Sequence, residues 1–327
     1  MNRPISFILF VLMAIRPVVA QVPPKAAATD PLAAARQSLL LAEHGKCKEA
    51  LQLLRKSTPH LADKEPKLKA GVATVRCAIN REQADVAVEA LQMLNREFPH
   101  DPEVLYITTH AYSDLATRAS MELANTAPDS YQAHEMNAEA LELQGKWDDA
   151  EKEYQSILDK NPSLPGIHFR LGRLLLSRPN PSADAGARAK EQFQKELEVD
   201  PRNAGAEYVL GELALQESQW NDAIEHFIEV TKLDAGLTDA SLGLGIAFIA
   251  EGKPVDAIPP LETYVKVQPG NPAGHYQLAM AYSRAGRKED AKREAALQRE
   301  TSEKLESQKA ANAPRPTSSD EHPGPPK

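Results

Sequence analysis

The sequence copies itself at a fixed interval. Leu210-Gly211, Leu244-Gly245 and Leu278-Ala279 follow one another 34 residues apart, and Ala223, Ala257 and Ala291 keep the same step. A period of this length marks one supersecondary repeat reproduced along the chain, which confines the fold to a stacked array. Upstream, His134 and His168, Ala138 and Gly172, and Leu141 and Leu175 are again 34 apart, but Leu171-Gly172 precedes its copy by 39. One repeat therefore carries an insertion, placed at Ser177-Arg178-Pro179-Asn180-Pro181-Ser182, where prolines and small polar residues mark a turn. Within a repeat the apolar residues fall three and four apart, as in Leu171, Leu174 and Leu175 or Ile224, Phe227 and Ile228, which gathers them on one helix face. A composition with 26% charged and only 5% aromatic residues suits helices.

The repeats read His168-x2-Leu171-Gly172-x2-Leu175 with Ala189-x3-Phe193 and Pro201, then Glu207-x2-Leu210-Gly211-x2-Ala214 with Ala223-x3-Phe227. The next has Leu244-Gly245-x2-Phe248, Ala257-x3-Leu261 and Pro269, and the one before them Ala138-x2-Leu141, Ala150-x3-Tyr154 and Pro162, with Asn137 where leucine is usual. This pattern resembles the tetratricopeptide repeat (TPR). The resemblance implies an all-α, right-handed superhelical solenoid of helix-turn-helix repeats, about eight of them between Pro31 and Glu300. Gly211 and Ala223 then sit where two helices approach closely, and Pro201 and Pro269 end second helices. The first three repeats match less well, and the third, near Leu105, Tyr112 and Met121, is expected to have a shortened second helix. Pro259-Pro260 fall inside a second helix, which must begin late or kink. From Arg287 onward the pattern turns charged, as a terminal capping helix needs.

The resulting organisation is a signal peptide over 1–20, a linker over 21–30, degenerate repeats over 31–130, the regular array with its capping helix over 131–300, and a helix extension with a disordered Pro-rich tail over 301–327. The signal reading rests on Arg3, the apolar run from Ile5 to Ile15 and the small residues at Val18-Val19-Ala20, with a mature chain starting at Gln21. Arg16 leaves a retained N-terminal anchor as the alternative, and through it the only expected membrane contact. Export places Cys47 and Cys77 in an oxidising compartment, where a disulfide competes with two buried thiols; the resemblance puts the two cysteines side by side.

Signatures of catalysis are missing: the chain has no G-x-S-x-G, Walker loop, H-E-x-x-H or C-x-x-C-H. Gly243-x-Gly245 is half a nucleotide fingerprint, and Gly245 is accounted for by helix packing. His134, His168 and His275 share one place in three repeats, but copies about 10 Å apart cannot share an ion with ligands at about 2 Å. Glu135, Glu139 and Glu142 read as a solvated helix face. No catalytic residue, metal or cofactor is expected, and the net charge of -8 gives nucleic acid no basic face to bind. No small-molecule substrate is evident either.

What remains is a non-enzymatic interaction scaffold of the cell envelope, periplasmic or secreted, that binds a protein or peptide. The alternatives are an assembly or secretion factor within a larger complex and an accessory subunit of an enzyme. The resemblance places Phe169, Arg173, Tyr208, Glu212, Leu242, Ile246, Tyr276 and Met280 on the ligand-facing side of the first helices, in a concave groove. Arg173 and Arg284 would orient an acidic group at its margins. The two-carboxylate clamp of some TPR domains, which needs Lys and Asn at such places, is not expected here.

Overall fold

A computed structural model of the chain describes residues 30–312. The signal-peptide, linker and Pro-rich-tail readings lie outside these residues. Among the described residues the secondary structure is helical throughout. Helix pairs succeed one another: α1 (Pro31–Glu43) with α2 (Cys47–Ser57), α3 (Lys64–Asn80) with α4 (Ala84–Glu97), then α5 (Pro102–Thr126) alone. There follow α6 (Tyr131–Leu143) with α7 (Trp147–Lys160), α8 (Ile167–Ser177) with α9 (Ala185–Val199), and α10 (Ala204–Gln216) with α11 (Trp220–Leu233). The last pairs are α12 (Asp239–Ala250) with α13 (Pro254–Val267), and α14 (Pro272–Arg284) with α15 (Lys288–Asn312). The fold is a solenoid of helix-turn-helix repeats. No described helix is long and apolar enough to cross a membrane.

The turn inside a pair is built the same way six times. Its amide reaches back to the last turn of the first helix, as in Lys46 N to Leu41 O (2.8 Å), Lys146 N to Leu141 O (2.9 Å) and Arg287 N to Tyr282 O (2.8 Å). Such a turn needs a left-handed residue, which Gly45, Gly145, Gly252 and Gly286 supply without steric cost. Glu82 (φ 57°) and Ser218 (φ 60°) take the same conformation with a side chain attached. The five-residue insertion replaces this turn between α8 and α9.

The third repeat departs from expectation. It has no shortened second helix: α5 runs unbroken for 25 residues. Between Tyr112 and Met121 no glycine or proline offers a place to turn. Thr109, Thr117 and Ser120 instead return their hydroxyls to carbonyls four residues back, and Asp114 pairs with Arg118 at 2.8 Å. Contacts divide the chain into two compact units, residues 1–122 and 123–327.

In unit 1, Leu51, Leu54, Ala70, Ala78 and Ala87 form one core cluster, and Val75, Leu91, Leu94, Val104 and Ile107 another. Cys47 and Cys77 are joined by a disulfide that ties α2 to α3, with Cα atoms 5.0 Å apart. In unit 2 the motif residues explain one another. A Cβ on Gly172 would meet the Phe193 ring at 2.9 Å, one on Gly211 the Phe227 ring at 2.8 Å, and one on Gly245 the Leu261 side chain at 2.4 Å. The ring or leucine of the second helix therefore fills the space a first-helix side chain would take, and all three are wholly buried. In the last repeat the ring has become Ala295, and the glycine position has become Ala279.

The prolines at 259 and 260 do not delay their helix. α13 starts on schedule with Pro254 in its first turn, and both lie inside it. The carbonyls of Val255 and Asp256, which lose their helical donors, belong to exposed residues, so water can take the place of the missing N–H groups.

Candidate functional site

The first helices of unit 2 form a layer opposite the second helices: α10, α12 and α14 touch in sequence, and the Phe169 ring of α8 lies where a Cβ on Gly205 of α10 would meet it at 3.0 Å. On this layer two places, four residues apart, recur as rungs. They hold Phe169 and Arg173 on α8, Tyr208 and Glu212 on α10, Leu242 and Ile246 on α12, and Tyr276 and Met280 on α14.

The rungs differ in how far they are used up by packing. Phe169 is half-buried, its ring centroid 5.6 Å from that of Phe193, and Tyr208 stands edge-on to Phe227 at 5.9 Å. Both rings therefore serve the core as well as the face. Leu242 and Met280 lean on the cluster of Ile249, Leu261 and Leu278, and Ile246 is half-buried. Tyr276 is 54% exposed and lines, with Met280, Ala291 and Ala295, a cavity of about 630 Å³ between α14 and α15. Arg173 is exposed and lies 3.8 Å from Glu142. Arg284 instead donates to the Ile249 carbonyl at 3.0 Å, and so secures the end of α12.

Electrostatics divide the layer. The acidic run on α6 is not a merely solvated face: Arg170 bridges Glu135 (2.7 Å) and Glu139, and Tyr154 donates to Glu142 at 2.7 Å. Among the described residues Glu212 has no such cation. Burial raises its pKa first, the Asp239 charge raises it further, and only the Tyr208 hydroxyl, which donates to it, opposes them. Burial and then the Glu212 charge push Tyr208 itself up to about 12.

The histidines are clamps within repeats. His134 Nδ1 meets Glu153 at 2.6 Å and His275 Nδ1 meets Glu294 at 2.8 Å, each across 19 residues; His168 Nδ1 meets Gln192 at 2.7 Å across the insertion. Glu207, which breaks the histidine series, pairs with His226 over the same 19 residues at 2.5 Å, so the partners have changed places. The other ring nitrogens of His168 and His275 face the Pro162 and Pro269 carbonyls at 3.2 and 3.0 Å. The recurring separation of 19 is visible in the sequence once both partners are sought.

One supporting residue carries no such signal. Glu196 of α9 is wholly buried, and its carboxylate accepts from Gly166 N (2.7 Å), Phe169 N (3.1 Å) and Asn203 Nδ2 (3.2 Å). It caps α8, whose leading residue Gly166 has no side chain to do so, and thereby orients the Phe169 rung.

A family model for the tetratricopeptide repeat matches residues 110–165, 135–187, 208–272 and 242–302, together more than half of the chain. Among solved structures, YrrB, described as a TPR protein with an unusual peptide-binding site, is 17% identical with a TM-score of 0.50, covering 58% of this chain and 98% of its own. A crystal structure of MamA is 21% identical with a TM-score of 0.48, covering 56% of this chain and 96% of its own. At these identities the likeness is one of fold. No curated protein matches the sequence.

Proposed function

This chain belongs to the tetratricopeptide-repeat family, and we propose that it is a non-enzymatic interaction scaffold whose first-helix layer in unit 2 takes up a peptide segment of another protein. The observation that carries this reading is the outer pair of rungs. Ile246, Tyr276 and Met280 stand on consecutive first helices with apolar surface that their own repeats do not fill, next to an open cavity. Aromatic and methionine side chains in such places act as anchors. The peptide-binding site described for YrrB supports the reading by analogy of fold alone.

Export to the cell envelope belongs to the same proposal. It rests on the segment Met1 to Ala20 and is favoured by a disulfide that suits an oxidising compartment. Recovery of the protein from the envelope or the medium checks export, and an N-terminus at Gln21 checks cleavage; an exported chain still starting at Met1 overturns the cleavage and leaves the retained anchor.

Peptides selected on the full chain from a random displayed library should bind the variant Ile246→Ala/Tyr276→Ala at least about tenfold more weakly, the loss of a hot-spot anchor. Helical content should stay unchanged. Phe169 and Tyr208 are poor probes, because truncating either also opens the core. Selected peptides that ignore the double variant would move the binding surface elsewhere.

A further inference from the structure

The geometry points to a partner peptide that places a lysine or arginine against Glu212 and apolar side chains over the α12 and α14 rungs. This inference rests on the binding face proposed above and specifies what that face selects.

Among the carboxylates of the first-helix layer, those of α6 are met by Arg170 and Arg173, and Glu207 is met by His226. Glu212 is half-buried, feels the Tyr208 hydroxyl and the Asp239 charge, and forms no ion pair among the described residues, at the same place that Ile246 and Met280 hold on the next two helices. A half-buried carboxylate beside a second acid is poorly solvated, and the described residues bring no cation to it. A guanidinium or ammonium on the ligand would supply the missing charge, and its aliphatic stem would lie against the Tyr208 ring. Beyond Glu212 the rungs themselves carry no charge, so the complementary ligand turns apolar there, and Lys288, Lys292 and Arg299, which line the cavity beside Tyr276 and Met280, disfavour a second cation at that end. Packed helix axes stand about 8–10 Å apart and an extended chain advances about 3.3 Å per residue, which sets roughly three ligand residues to a rung. The pattern is therefore a cation followed at the third and sixth positions by apolar residues, in one chain direction or the other.

The test uses four synthetic peptides on the full-length disulfide-bonded protein: Lys-x-x-Leu-x-x-Phe and its reversed order, each also made with Glu in place of Lys. The wild-type chain should prefer one Lys peptide over its Glu counterpart by about tenfold, less at high salt. Glu212→Gln should abolish that preference while retaining apolar binding, and Glu212→Lys should invert it. Should Glu212→Lys fail to fold, the Gln variant decides alone. If Lys and Glu peptides bind equally and both weaken in Ile246→Ala/Tyr276→Ala, the groove reading stands and the cation inference falls. A preference that survives Glu212→Gln, or no binding by any of the four, also overturns it; the library selection then judges the groove separately.

Discussion

At the scale of single residues, the ligand contact proposed for Glu212 runs against what its burial does to stability. Its folded-state pKa lies above the ordinary value of 4.5, chiefly through burial. Below that ordinary value the carboxyl is protonated in the folded and unfolded chain alike. As the pH rises past it, the unfolded chain releases the proton first and the folded chain holds it, so stability falls until the folded group has ionised as well. Glu212→Gln keeps an oxygen to accept from Tyr208 and removes the charge. It should be more stable than the wild type at pH 7, by no more than about 1 kcal/mol because half of the group's surroundings are solvent, with the difference gone at pH 3.5. Urea unfolding at the two pH values measures this, and a wild type at least as stable at pH 7 would show the charge already compensated. His275 and Glu294 show the opposite arrangement: both are buried and each answers the other, so neither is left to a ligand.

At the scale of the element, the turn between paired helices is marked in the sequence where its left-handed residue is a glycine, as at Gly45, Gly145, Gly252 and Gly286. Where the mark is absent, two outcomes occur. At Ser218 the turn forms anyway, held by Gln219 N to Ala214 O at 2.8 Å and by the packing of α10 on α11. At α5 it does not form, since nothing in Tyr112 to Met121 favours it. Ser218→Gly removes the steric cost of the left-handed conformation at an exposed position, and should stabilise the protein by about 0.5–1 kcal/mol. The thermal midpoint of the variant checks this, and a lowered midpoint would mean that the serine side chain contributes more than its backbone costs. Proline acts less strictly than glycine. Pro259 and Pro260 stay inside α13 because the carbonyls they leave without donors are on exposed residues.

At the scale of the whole molecule, the disulfide sits in the less regular unit. It spans 30 residues, and closing a loop of that size in the unfolded chain is worth about 3–4 kcal/mol in the chain-entropy model. Reduction should therefore lower amide-exchange protection in α1 to α4 and leave α8 to α14 nearly unchanged, because a repeat array transmits stability mainly between neighbours. Equal loss of protection throughout would mean that the units unfold as one. What the sequence by itself determined is the period, the helix pairs outside the third repeat, the place of the insertion and, through the family pattern, the two places per repeat that make the rungs. The period and the insertion follow from spacing, which is a property of the chain, while the two rung places follow from the resemblance to the TPR pattern. Only the tertiary structure decided which rung residues are free. Phe169 and Tyr208 look like Tyr276 in the sequence, but Phe193 and Phe227 claim their rings, while Tyr276 belongs to the last repeat, where Ala295 stands in place of a ring and no further first helix follows among the described residues. Likewise Glu135 and Glu212 are one residue type on one kind of face. Arg170, 31 to 35 residues from its partners, compensates the first, and no side chain of the described residues does so for the second. Exposure and compensation depend on what a neighbouring repeat brings across the stack, which a pattern read within one repeat does not contain.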